Sequence, residues 1–100
     1  MQVTVTARHC EIPDPLREQA RLVMARIMKA AHRPQRARVV FDVDHQQKVV
    51  EIKLHLPRGV TRIATAEATD FRTALDRAAE KLRRQLEKTN SRYVRRPAAK

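Results

Sequence analysis

Polar and hydrophobic residues alternate along four segments of the chain, and this two-residue period predicts four β-strands. The period is clear in residues 2–7, 36–44 and 48–56, and a weaker segment rich in Ala and Thr covers residues 60–68. Because successive side chains of a strand point to opposite sides, each strand has one apolar and one polar face. The pattern therefore predicts a sheet with one buried face and one face in solvent.

Two other segments carry apolar residues three and four positions apart, which is the spacing of an amphipathic helix. The first runs from Pro15 to about Ala31, with Asp14 placed to cap its amino end. The second covers residues 70 to about 90, with Thr69 or Asp70 as the cap. Short polar side chains at these positions accept hydrogen bonds from the free amides of the first helical turn.

The turns between the strands help to set the topology. Asp44–Gln47 separates the second strand from the third, and residues 57–59 hold the only glycine, Gly59, which is consistent with a positive φ. A strand–helix–strand unit makes the first strand pair parallel, and hairpins continue the sheet antiparallel. We therefore predict an α+β fold, a two-layer sandwich of order β-α-β-β-β-α, with a four-stranded mixed sheet and two helices on one face.

Charge distinguishes this chain from an average domain. Lys and Arg number 22 against 11 acidic residues, a formal net charge of +11, which attracts polyanions, nucleic acid first and anionic membrane second. The length of 100 residues fits one domain, which we place over 1–90. Residues 91–100, which include Arg92, carry only basic charges and no apolar period, so we predict a basic flexible tail there. With only three aromatic residues, the chain lacks the rings needed to stack several bases.

Motifs typical of enzymes and of metal sites are missing from the sequence. There is no Gly-rich phosphate loop and no Gly-x-Ser-x-Gly turn, and His9-Cys10 lacks two further ligands at a usual spacing. We expect no enzymatic activity, no cofactor and no metal. Cys10 is the only cysteine, and no signal peptide or apolar membrane span is recognisable. We therefore expect a cytoplasmic protein without a membrane partner.

Cations are sorted onto one side of the second helix. At about 100° per residue, four cations fall within a sector of about 60°, which we place opposite the apolar residues of the helix. These cations are Arg77, Lys81, Arg84 and Lys88, and the neighbouring flank carries Asp76, Glu80 and Glu87. Such a row matches a line of phosphates. The alternative is a solvated helix face with salt bridges between residues four apart.

Other cations lie on the first helix and on the strands. Arg26 and Lys29 share one flank of the first helix, and we expect some of its cations to extend the basic surface of the second helix. The sequence leaves open which flank of the first helix faces the second. The strand cations, each interpreted singly as an ordinary surface charge, are Arg36, Arg38, Lys53 and Arg62.

Four segments resemble a known family. They are Glu11-Ile12, the turn LPRGV at 56–60, DFRTALD at 70–76 and KLRRQLEK at 81–88. The last two are similar to Asp-Met-Tyr-x-Ala-Ile-Asp and Lys-Leu-Glu-Arg-Gln-Leu-x-Lys in the ribosome hibernation promoting factor family. This family includes the ribosome-associated inhibitor and the proteins also called sigma-54 modulation proteins. The similarity covers residue 1 to about residue 92.

The resemblance implies binding to the small ribosomal subunit, in the channel between its head and body. Family members there occupy the path of mRNA and the tRNA sites, so they compete with both and stop translation reversibly under stress or in stationary phase. Their basic helix residues contact ribosomal RNA. The residues that match those positions are Lys81, Arg84 and Lys88 in the second helix and Arg26 and Lys29 in the first. We add Arg77 from the helical wheel and Arg92 from the basic tail.

The chain also departs from the family pattern. Phe71 and Arg72 stand where many members have Met-Tyr, and Arg83 replaces a common Glu. The chain resembles short members, without the extra C-terminal domain by which long members pair ribosomes. Whether it promotes ribosome dimers with a helper protein or silences single ribosomes stays open. Two alternative functions also stay open, a general double-stranded nucleic-acid-binding module and a transcription-associated protein-interaction module.

Overall fold

The computed structural model describes the backbone of residues 2–98 and the side-chain surroundings of residues 2–88. The elements are β1 (Gln2–Ala7), α1 (Asp14–Ala30), β2 (Arg36–Asp44), β3 (Gln47–His55), a single 3₁₀ turn (Pro57–Gly59), β4 (Thr61–Ala68) and α2 (Phe71–Ala98). This order confirms the predicted β-α-β-β-β-α sequence, and the predicted strand bounds agree to within one residue.

The four strands form one sheet in the order β1-β2-β3-β4. β1 pairs with β2 in parallel, with Val5 opposite Val39. β3 pairs antiparallel with both of its neighbours, so Ile52 lies opposite Val39 on one side and Ala64 on the other. The sheet is therefore mixed, and β1 and β4 are its two edges.

The hydrophobic core lies between the sheet and the two helices. Its fully buried members include Phe41 and Ile52 from the sheet, Met24 from α1, and Leu75 and Leu82 from α2. The small side chains of β4 that join this core are Ala64, Ala66 and Ala68. Both helices thus cover one face of the sheet, and the other face is open.

Two tight turns place non-glycine residues in the left-handed region. His45 has φ 50° and Gln46 has φ 69° in the β2–β3 hairpin, the conformation of a type I′ turn. In the turn before β4, Gly59 has φ 72°, as predicted, and Arg58 has φ 64°. Neither Arg nor Gln adopts this region without a steric cost from its Cβ atom.

The helix ends differ from the predictions in two respects. Asp14 is the first residue inside α1, Pro13 occupies the cap position, and no side-chain hydrogen bond caps the helix, so the prediction that Asp14 is the cap is wrong. Asp70 does cap α2, because its Oδ2 accepts a 2.9 Å hydrogen bond from the amide of Thr73. α2 continues to Ala98, about two turns beyond its predicted end, and the mobility of residues 91–100 stays a prediction.

Candidate nucleic-acid interface

The four predicted cations of α2 lie on one flank of the helix, and we call Arg77, Lys81, Arg84 and Lys88 the α2 cation row. Arg77 Nη1 donates to the carbonyl of Glu67 at 3.1 Å, and Lys81 Nζ donates to the carbonyl of Thr65 at 2.8 Å. These contacts turn the row toward the β4 edge of the sheet. The prediction that the row lies opposite the apolar residues is therefore wrong.

The geometry of a helix beside an edge strand explains these contacts. Alternate carbonyls of an edge strand have no partner strand, and in β4 those of Ile63, Thr65 and Glu67 receive side chains of α2. The third donor is Gln85 Nε2, 3.0 Å from the carbonyl of Ile63. Four helical residues rise about 6 Å and two strand residues about 6.8 Å, so the two periods stay matched over three contacts.

The other sheet edge is covered in a similar way. Arg17 Nη1 of α1 donates to the carbonyl of Val5 in β1 at 2.9 Å. Cations from the helices therefore bind exposed carbonyls at both edges of the sheet. Such coverage makes the edges poorer templates for pairing with another chain. Periodicity alone gives no signal for these contacts, because they depend on how the helices lie across the sheet.

Arg84, the third member of the row, is held by an acid. Its Nε donates to Glu80 Oε2 at 3.2 Å, and Glu80 Oε1 accepts a second hydrogen bond from Arg83 Nη2 at 2.6 Å. The hydrogen bond from Arg83, more than its charge or Arg84, lowers the pKa of the Glu80 carboxyl. Arg83 also pairs with Glu87 at 3.3 Å. The predicted alternative, salt bridges along the helix, thus applies to part of this surface.

The acidic flank of α2 faces α1. Asp76 and Glu80 line one shallow groove together with Arg26 of α1, and Leu16 of α1 shares a second groove with Asp70. The two helices therefore run side by side in the same direction, and the flank of α1 that carries Arg26 is the one that faces α2. Since acids lie between Arg26 and the α2 cation row, Arg26 does not continue that row directly.

Lys88, Lys29 and Arg92 are the remaining predicted site residues. Lys88 is exposed, and no hydrogen bond or ion pair holds it among the side chains described for residues 2–88. Lys29 is an exposed residue in the last turn of α1, at the same end of the helix layer as Arg84. Arg92 lies outside the residues whose side chains are described.

Other candidate chemistry is sparse in the described part of the chain. No group of three His, Cys, Asp or Glu side chains there is placed to hold a metal ion. Cys10 Sγ lies 3.6 Å from the carbonyl of Phe41, and burial raises the pKa of its thiol. His9 Nδ1 lies 3.1 Å from Asp42, and this hydrogen bond lowers the pKa of the Asp42 carboxyl. No helix of the described residues is long and apolar enough to cross a membrane.

Solved structures share this architecture. A ribosomal subunit interface protein from Coxiella burnetii superimposes with a TM-score of 0.80 at 25% identity, covering 91% of this chain and 99% of that one. The N-terminal domain of Protein Y from Thermus thermophilus gives a TM-score of 0.76 at 26% identity, covering 89% and 99%. The fold is therefore that of the ribosomal subunit interface proteins.

The chain belongs to the Sigma 54 modulation protein / S30EA ribosomal protein family, whose model matches residues 3–94. It is 35% identical over 88 residues to the ribosome hibernation promoting factor of Pseudomonas putida, covering 88% of this chain and 85% of that protein. It is 30% identical to the ribosome hibernation promotion factor of Deinococcus radiodurans, covering 90% of this chain and 49% of that protein. The predicted family is confirmed, and since its members are binding proteins, so is the prediction that this chain is not an enzyme.

Proposed function

We propose that this protein is a ribosome hibernation factor, which binds the small ribosomal subunit in the mRNA and tRNA channel and reversibly inhibits translation. The observation that carries the proposal is the likeness to proteins named ribosome hibernation promoting factor, at 35% identity over 88 residues. The chain also has the positive charge that a site lined by RNA phosphates requires, with a net charge of +11. Its place of action is the cytoplasm, where ribosomes translate.

The α2 cation row supplies the contacts to ribosomal RNA. Its members are exposed. An exposed Lys or Arg that contacts a phosphate releases the counterion that was condensed on it. Arg77 and Lys81 keep further N–H donors after binding the β4 carbonyls, because a guanidinium has five and an ammonium three. They can therefore contact a phosphate without releasing the sheet. No donor of Lys88 is held by another side chain described for residues 2–88.

Inhibition follows from occlusion, because the domain fills space that mRNA and tRNA need. The contacts are hydrogen bonds and ion pairs, and no covalent step is involved, so release restores the ribosome. Salt and competing polyanions weaken such binding by mass action. Arg26 and Lys29 add positive charge on the α1 side, and Arg92 adds it beyond the described side chains. Expression under stress or in stationary phase, and a helper protein that pairs ribosomes, are parts of the same proposal.

The test is binding of Lys81→Gln/Arg84→Gln/Lys88→Gln to purified small subunits over a range of salt concentrations. Each lost phosphate contact flattens the plot of log affinity against log salt by about 0.9 on a regular duplex, so three contacts predict a decrease of about 2.7, and less on irregular RNA. An unchanged salt slope would show that these α2 cations make no contact with the RNA.

A control with equal charge loss separates specific contacts from net charge. Arg8→Gln/Arg21→Gln/Arg72→Gln also removes three cations, of which Arg21 pairs with Glu18 at 3.6 Å and Arg72 pairs with Asp76 at 3.8 Å. This variant should keep most of the wild-type slope. Equal losses in both variants, together with equal affinity for any duplex RNA, would instead identify a general nucleic-acid binder. Binding with little salt dependence would identify a protein-interaction module.

A further inference from the structure

The open face of the sheet carries its own cluster of cations. Alternation places Arg36 and Arg38 of β2 on this face, and the strand register sets Lys53 and His55 of β3 beside them. Arg38 lies directly opposite Lys53, and Arg36 lies directly opposite His55. We call these four residues the sheet cation cluster. Arg62, by contrast, pairs with Leu54 and belongs to the covered face.

No acidic side chain described for residues 2–88 pairs with a cation of this cluster. Among the described side chains, no hydrogen bond or ion pair holds Arg36, Arg38 or Lys53, whereas Arg83 and Arg84 both bind Glu80. Like charges directly opposite each other on neighbouring strands repel. The pair of Arg38 and Lys53 is therefore unfavourable in the free protein, and an anion bound between the two side chains would relieve the repulsion.

Three members of the cluster, Arg36, Arg38 and His55, line a shallow hollow. A cavity of about 290 Å³ opens at this end of the sheet, lined by Arg36, Arg38, His55, Gln2 and Thr4 among others. The amide of Gln2 and the hydroxyl of Thr4 add neutral hydrogen-bond donors to the charged ones. Arg presents its donors in a planar fork that matches two oxygens of one phosphate. The hollow thus combines charge, donors and concave shape.

The rest of the open face limits what the ligand can be. Acids occupy the rest of this face: Glu51, opposite Val40, lies two residues from Lys53, and Glu67, opposite Val49, lies farther from the cluster. A broad anionic surface such as a membrane would meet both acids, whereas a narrow strand of phosphates crossing the cation end of the sheet would avoid Glu67. Among the residues whose side chains are described, no Phe or Tyr lies on the open face, since Phe41 is in the core and Phe71 packs edge-on against it at 5.4 Å. Recognition would therefore involve the backbone of a nucleic acid and not stacked bases.

We infer that the sheet cation cluster binds backbone phosphates of a second RNA segment, on the side of the domain opposite the α2 cation row. The inference rests on the proposed function in taking that RNA to be ribosomal. The two basic surfaces belong to different layers, one on the flank of α2 and one on the open face of the sheet. The domain would then be held between two RNA segments, which fixes its orientation more firmly than one surface alone.

The first test compares the sheet variant Arg38→Gln/Lys53→Gln with the control variant Arg21→Gln/Arg72→Gln. The control also removes two positive charges, but from positions that are ion-paired. For binding to small subunits, the sheet variant should flatten the salt slope by about 1.8, or less on irregular RNA, while the control stays near wild type. A slope equal to that of the control would overturn the inference. Weaker binding with an unchanged slope would also overturn it, because that result shows that no contact to a phosphate was lost.

The second test locates the RNA on each side. Single cysteines at Thr4→Cys on the open face and Glu87→Cys on α2, both in a Cys10→Ser background, carry tethered Fe(II)-EDTA on the bound protein. Hydroxyl radicals should cut ribosomal RNA from both positions, in separate segments. Absence of cuts from Thr4→Cys, with cuts from Glu87→Cys retained, refutes the inference and leaves the proposed function intact. Failure of the wild-type protein to bind small subunits would refute the proposed function itself.

Discussion

Lys81 and Lys88 offer a matched pair for separating stability from binding. Both are exposed lysines on the same flank of α2, two turns apart. Lys81 donates to the Thr65 carbonyl of the edge strand at 2.8 Å, whereas no such bond holds Lys88 among the described side chains. Substituting each by Met removes the charge and the donor but keeps an unbranched stem of similar length. Lys81→Met should therefore destabilise the fold, and Lys88→Met should not.

The expected magnitude follows from the single lost hydrogen bond. A net intramolecular hydrogen bond contributes about 0.5–1.5 kcal/mol, and solvent exposure of Lys81 favours the lower part of that range. A loss of about 0.5–1 kcal/mol corresponds to a Tm lower by about 2–8 °C for a domain of this size. Lys88→Met should change the free energy of unfolding by less than about 0.5 kcal/mol, as surface substitutions usually do.

The assay has two parts, urea unfolding followed by circular dichroism and salt-dependent binding to small subunits. The two variants should differ in unfolding midpoint at equal m-value. In binding, each should flatten the salt slope by up to about 0.9, because both lysines belong to the α2 cation row. Equal unfolding midpoints would show that the contact between Lys81 and β4 contributes nothing. A flattened slope for only one variant would show that the α2 cation row does not bind RNA as one unit.

Two further predictions concern local structure. Since His45 and Gln46 both have positive φ, His45→Asn/Gln46→Gly matches the type I′ preference and should raise the free energy of unfolding by about 1 kcal/mol; an unchanged or lower urea midpoint would contradict this. The pKa of the Asp70 carboxyl is lowered mainly by a hydrogen bond from the amide of Thr73 and also by one from its hydroxyl. The ionised carboxylate therefore stabilises the fold above the unfolded pKa of about 3.9. This contribution is lost as pH falls through the folded pKa. The Tm advantage of the wild type over Asp70→Asn should therefore shrink below pH 4, and a constant difference would contradict the assignment.

The elements of the fold could be predicted because their signals are local. Alternation in residues 36–44 predicted β2 to the residue, and the caps and turns depend on neighbours within a few positions. The end of α2 could not be predicted in the same way. Apolar periodicity reports which residues pack against a core, whereas the helix propensity of Arg can extend a helix through a segment that lacks such a period.

The grouping of the α2 cations was predictable, but their placement beside β4 was not. The helical wheel grouped Arg77, Lys81, Arg84 and Lys88, and the structure keeps them on one flank. Their contacts with the β4 carbonyls depend on the packing of α2 across the sheet, which the sequence of one helix does not encode. The sheet cation cluster could not be predicted as a group for a related reason. Arg38 and Lys53 are 15 positions apart in the chain, and only the strand register brings them together.

Sedimentation of the purified protein with ribosomal particles tests the central claim most directly. Small subunits, large subunits and bulk duplex RNA are each mixed with the protein at near-physiological salt, with and without initiator tRNA. The account predicts about one copy per small subunit, little on the other two, and displacement by the tRNA. Equal association with every RNA, lost in parallel as salt increases, would contradict it.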